Sequence, residues 1–170
     1  SVLAAHGEVK AENWVNGLVK NLARRPQGND RAQVKAIYEG QCDIAIINNY
    51  YFGKLKFSDD PQQRLWTKNL ELIFPNQAES DRGSHVNISG GGVVKFSKNK
   101  KDAIALLEFL TSKKAQELYG EINFEYPANL NINASQELQS WGKFREDQLP
   151  IIKIAELGPL AQKIIDRSGW

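Results

Sequence analysis

Six residues, CDIAII at positions 42–47, constrain the fold of this chain more than any other stretch. The run is short, almost continuously apolar, and bounded by Gly40 on one side and Asn48 and Asn49 on the other. Such a run predicts a strand covered on both faces, the kind found in parallel sheets. The sequence before it has a different period. Over residues 12–23, Trp14, Val15, Leu18, Val19 and Leu22 recur at helical spacing. RRPQGND then interrupts with Pro26 and Gly28, and Asn29 or Asp30 can cap a second helix over 31–39. That helix is expected to bury Val34, Ile37 and Tyr38 and to stop at Gly40.

The rhythm continues downstream. YYFGKLKF and DPQQRLWTKN are expected to be helical pieces divided by an Asp-Pro turn, and LELIF (70–74) a further strand closed by Pro75. HVNISGGGVVKF predicts an extended segment whose three glycines allow bending or close backbone contact. A phosphate cradle is a poor match there, because no Lys-Thr pair follows and no helix opens directly on the glycines. Residues 99–121 predict one amphipathic helix with Ile104, Leu107, Phe109, Leu110 and Leu118 on its apolar side. EYPANLNINASQEL is irregular and asparagine-rich, and a short helix with Leu160, Ile164 and Ile165 closes the chain. The fold class expected from this order is α/β with a mainly parallel sheet.

Several functions are excluded on composition and motifs. Basic residues number 22 and acidic residues 20, a net charge of +2 that implies no polyelectrolyte partner, so nucleic acid is not expected as a ligand. KFSKNKK (95–101) is a solvated face near a helix start. The single cysteine, Cys42, forbids an internal disulfide. No G-x-S-x-G, no H-E-x-x-H and no cysteine with an evident base is present, so catalysis is not expected.

Only five tyrosines occur in 170 residues, yet Tyr50 and Tyr51 stand side by side just after the expected strand. Polar residues at the carboxyl edge of a strand sit where open α/β sheets bind ligands. On a strand, adjacent phenols point apart; at a strand-to-helix bend they can converge. Phenolate is a hard anionic oxygen donor suited to a hard, highly charged cation such as Fe³⁺. Binding requires each phenol to lose its proton far below its free pKa of about 10, which the charge of the metal brings about. The alternative is packing alone, with one ring in the core and the other hydrogen-bonded at the rim. Spacing by itself does not choose between them.

A longer pattern bears on that choice. RRPQGNDRAQVKAIYEGQCDIAIINNYYFGKL, then FPNQ, RGSHVNISGGGVV and a final GPLAQKIIDRSGW, resembles the ferric-binding subunits of bacterial iron ABC transporters, the cyanobacterial type above all. The resemblance runs through nearly the whole chain and is to the C-terminal half of the family, whose members are roughly twice as long. It implies a two-lobed periplasmic-binding-protein fold of type II, with mainly parallel sheets flanked by helices. Residues 1–88 would form most of the second lobe, 89–150 part of the first after a hinge crossing, and 151–170 a helix returning to the second. By the same resemblance Tyr50 and Tyr51 are ligands to ferric iron carried as cargo. Asn29 and Asn48 line the cleft or hold an accompanying anion such as carbonate. His85 would be a hydrogen-bonding neighbour on the hinge strand rather than a ligand, and His6 has no metal role. Partners implied are the membrane permease and the missing N-terminal half, in the periplasm of a bacterium. A binding protein of this type for a small anion or organic molecule, with the tyrosines as cleft walls, is the alternative.

Overall fold

The computed structural model describes all of residues 1–170. Helix α1 (Val2–His6) leads through Gly7 into α2 (Glu8–Lys20), which starts four residues earlier than its apolar period predicts. Ala11 and Val15 face Ile164 of the closing helix α10 (Gly158–Ser168) in a small buried cluster. Val19 and Leu160 flank it, whereas Trp14, expected on the apolar side, is 48% exposed. Ion pairs reinforce this contact between the two ends of the chain. Arg167 donates from Nε to Glu12 at 2.6 Å and from Nη2 to Glu8 at 2.9 Å.

Helices α3 (Asp30–Tyr38), α4 (Asn49–Lys56) and α5 (Pro61–Thr67) pack on one another. Their starts are chemically explicit. The Asn29 side chain accepts from the amide of Ala32 at 3.2 Å, so Asn29 rather than Asp30 is the cap of α3. Asp60 accepts from the Gln62 amide at 2.9 Å with Pro61 opening α5. Val34 and Leu55 are fully buried here, but Tyr38, expected inside, lies on the surface.

The single helix expected over 99–121 is divided. Helix α6 (Lys100–Leu110) ends at Thr111, and Ser112 caps a new helix, α7 (Lys113–Leu118), by accepting from the Ala115 amide. The local hydrogen-bond chemistry of Thr-Ser competes with helix continuation, which a hydrophobic period does not register. A π-turn, Tyr119–Asn123, follows and ends on Phe124 in the left-handed region (φ 59°, ψ 38°). Within the irregular region, Ser135 caps the short α8 (Gln136–Ser140), whose Leu138 is fully buried. Helix α9 (Ile151–Glu156) precedes α10.

The expected strands do not form within this chain. Residues 43–47 and 70–74 are extended, but no neighbouring strand pairs with either; the one β-bridge is parallel, between Ser84 and Glu146. Ile44 and Ile46 are 83% and 71% exposed and Ile73 is 83% exposed, the reverse of burial on both faces. The physical reason is that an extended segment is held only by its neighbours, and these apolar segments find no ladder partners in residues 1–170. The single bridge sits in a dense tie between 75–84 and 144–147. There Gln77 donates to the carbonyls of Pro75 (2.9 Å) and Arg145 (3.0 Å) and accepts from the Arg145 amide (2.7 Å), while Arg82 pairs with Asp147. Gly83 (φ 91°) allows the approach, since a Cβ there would lie 2.6 Å from the Glu146 carbonyl oxygen. His85, next to this tie, is exposed and makes no hydrogen bond of the kind expected for it.

Candidate metal centre

Tyr50 and Tyr51 are the second and third residues of α4. The extended segment 43–47 enters the helix through Asn48, whose φ of −75° and ψ of 133° are those of an N-cap. Because the chain turns into a helix at that point, the two rings converge instead of alternating: their centroids are 4.3 Å apart with the planes inclined by 35°. Both tyrosines are half-buried, and Phe52 and Leu55 of the same helix are buried and anchor it. Core packing is therefore carried by Phe52 and Leu55, and the tyrosines are left at the rim.

The starts of α3 and α4 are joined. Asp30, the first residue of α3, accepts from the Asn48 amide at 2.8 Å and from Asn48 Nδ2 at 3.4 Å. This places Asn48 two residues before Tyr50, and Asn29 just before Asp30 with its side chain engaged as a cap. The four residues singled out in the sequence thus gather at one corner, with Asp30 between the two asparagines. Around the rings, the Arg31 guanidinium lies 5.8 Å from the Tyr51 centroid and Lys54 Nζ 5.4 Å from that of Tyr50.

Charges of both signs meet at this corner, Arg31 and Lys54 over the rings and Asp30 and Glu125 acting on the Tyr50 phenol. The Tyr50 phenol is pushed up to about 12, first by side-chain hydrogen bonding with Tyr51, then by burial and by the charges of Tyr51, Asp30 and Glu125. Negative groups that make a second negative charge unwelcome on Tyr50 are groups that a cation would satisfy. No cluster of three His, Cys, Asp or Glu side chains that could hold a metal exists in the chain, so any metal here would depend on the phenols. Helix α4 has no acidic residue in its first turn and no side-chain cap; the Tyr51 amide donates to the Asn48 carbonyl at 3.1 Å, and the Asn49 and Tyr50 amides are left without a partner.

Sequence reasoning found the tyrosines and asparagines but not Asp30 as the link between helices, nor Arg31, Lys54 and Glu125. Asp30 carried a signal, as one of two possible caps. Glu125 carried none, because it reaches the site from 75 residues away along the chain.

The sequence model of the bacterial extracellular solute-binding proteins matches residues 4–146. The chain belongs to that family. Among members of known role, iron uptake protein A1 of Synechocystis is 39% identical over 170 residues, covering 100% of this chain and 47% of that protein. Among solved structures, a ferric binding protein from Campylobacter jejuni superposes with a TM-score of 0.93 at 39% identity, covering 99% of this chain and 52% of the other. The Trichodesmium protein IdiA (FutA), solved in complex with iron and citrate, gives a TM-score of 0.92 at 42% identity, over 99% of this chain and 53% of its own. The chain thus has the fold of ferric-binding solute-binding proteins over its whole length and spans about half the length of these relatives.

Proposed function

We propose that this chain is the C-terminal half of the substrate-binding component of a bacterial iron ABC transporter, which captures ferric iron and delivers it to the membrane permease. The observation that carries the proposal is the convergence of Tyr50 and Tyr51, 4.3 Å apart, at the uncapped start of α4. Two phenolates would neutralise two charges of Fe³⁺ and chelate it with hard oxygens. The remaining positive charge and the free α4 amides suit a synergistic anion such as carbonate, with Asn48 beside it and Asn29 behind; the citrate bound with iron in the Trichodesmium relative supports such a pairing. The protein acts by binding rather than catalysis, and its place is the periplasm.

In the whole protein, residues 1–88 contribute to the second lobe, 89–150 to the first, and 151–170 return to the second. The Gln77–Arg145 tie then lies where the chain crosses between lobes. Segments 43–47 and 70–74 complete mainly parallel sheets with strands from the other half, which covers Ile44, Ile46 and Ile73. Cleft closure about the crossing would bring the first lobe over the tyrosines.

Equilibrium dialysis of the full-length protein against ferric citrate tests this. One equivalent of iron retained by the wild type, and near none by the Tyr50→Phe/Tyr51→Phe variant, is expected; equal retention by both would overturn the proposal.

A further inference from the structure

Residues 94–101, just before α6, hold an aromatic ring out among lysines. The Ser97 amide donates to the Val94 carbonyl at 2.9 Å, closing a turn with Lys95 and Phe96 at its tip. Ser97 Oγ then accepts from the Asn99 amide at 3.2 Å, and α6 begins at Lys100. Held in this way, Phe96 is 84% exposed and Val94 71% exposed. Lys95, Lys98, Lys100 and Lys101 flank them in the chain; all four are exposed and none is ion-paired. Lys95 Nζ lies 5.5 Å from the Phe96 ring centroid. Between Asp81 and Asp102 the chain has no acidic residue to offset these charges.

A solvated face accounts for the lysines but not for Phe96, whose ring in water is unfavourable until something apolar covers it. The lysines restrict what that is. Packing the turn against a protein surface, the other half of the molecule included, would take four ammonium groups out of water, and lysine is depleted at the cores of protein interfaces. Segments 43–47 and 70–74 differ in this respect, since each carries one acidic residue and no basic one. An anionic bilayer surface meets both requirements of the turn. The ring enters the boundary between headgroups and acyl chains, the lysine stems lie along it, and the ammonium groups meet lipid phosphates.

We propose that the turn at 94–101 is a contact for anionic lipid headgroups, with Phe96 as the inserted wedge and Lys95, Lys98, Lys100 and Lys101 as its counter-charges. The contact involves none of the residues at the tyrosine corner and does not depend on the iron reading. For a protein that delivers cargo to a permease, it keeps the carrier at the bilayer in which the permease sits. Each lysine near an anionic surface favours the bound state by a factor of about five. Four of them with a single ring give reversible, salt-sensitive association rather than a permanent anchor.

The test sediments the full-length protein with vesicles of phosphatidylcholine alone and with vesicles of equal parts phosphatidylcholine and phosphatidylglycerol. Binding to the second kind only is expected, and it should be lost at about 1 M salt, where the screening length falls to about 3 Å. Lys98→Gln/Lys100→Gln should weaken binding about 25-fold, at about fivefold per lysine. Phe96→Ser should also weaken it while leaving the salt dependence in place. Lys10→Gln/Lys20→Gln removes the same charge from exposed positions on α2 and should bind as the wild type does. No sedimentation of the wild type with anionic vesicles would overturn the inference and is the result expected of a turn that meets an acidic protein surface instead. Equal losses from the α2 variant and the turn variant would overturn it too, since binding would then follow net charge alone. Should one turn variant not fold, the other decides, and wild-type binding by it would overturn the inference. Vesicle binding without iron retention would sink the iron proposal and leave this contact standing.

Discussion

At the scale of single residues, what matters is how protons and close contacts are distributed around the tyrosines. Tyr50 holds its proton more tightly than a free phenol, so loading with iron must displace it along with that of Tyr51. Apparent iron affinity is therefore expected to rise with pH below the phenol range, by up to about a hundredfold per unit, tenfold for each proton released. Citrate competition at a series of pH values measures this, and a pH-independent affinity would contradict phenolate ligation. Tyr126 illustrates a structural phenol instead. Burial pushes it up to about 12, and its hydroxyl donates to the Leu138 carbonyl at 3.3 Å. A raised folded-state value favours the native state below the unfolded value of about 10, and the contribution is lost as pH climbs through 12. Alkaline unfolding should thus be steeper in the wild type than in Tyr126→Phe when followed by circular dichroism. Gly53 is the tightest steric point: Gly53→Ala forces its new methyl into Phe124 and should destabilise by about 1–3 kcal/mol in urea titration. Of this residue-level picture, the tyrosine pair was legible because adjacency at a strand end is a local pattern. Glu125 and the Gly53–Phe124 contact were not, because they join positions more than 70 residues apart.

At the scale of elements, helices were legible and strands were not, for one physical reason. A helix satisfies its own backbone, so period, caps and breakers place it: Asn29, Asp60 and Gly40 act where expected. An extended segment depends on a neighbour, and 43–47 and 70–74 have the composition of covered strands while lying unpaired in this chain. The long helix was over-extended because apolar spacing survives across Thr111–Ser112, where a serine cap restarts the chain. Asn29→Ala should cost about 1 kcal/mol through loss of the α3 cap. It should also weaken iron binding less than loss of the tyrosines, because Asn29 reaches the site only through Asp30 and Asn48. Thermal unfolding and iron competition on the same variant separate the two effects. Equal losses of affinity from Asn29→Ala and from the double tyrosine variant would contradict this order.

At the scale of the whole molecule, residues 1–170 bring the tyrosine corner together and leave apolar side chains exposed on segments that pair with no strand. No helix of the chain is long and apolar enough to cross a membrane, and exposed apolar side chains lie both on helices, such as Ile104 and Ile152, and on the segments 43–47 and 70–74. If these are internal faces of a two-lobed protein, residues 1–170 alone should bind a hydrophobic dye strongly and the full-length protein weakly. Equal dye binding would mean that the faces stay exposed. The central claim, that adjacent phenolates at the start of α4 hold ferric iron, is tested most directly by visible-absorbance titration of the full-length protein with ferric citrate. A band that grows to one equivalent in the wild type and is absent from Tyr50→Phe/Tyr51→Phe is the predicted result. A colourless wild type, or a band that survives loss of both phenols, would contradict it.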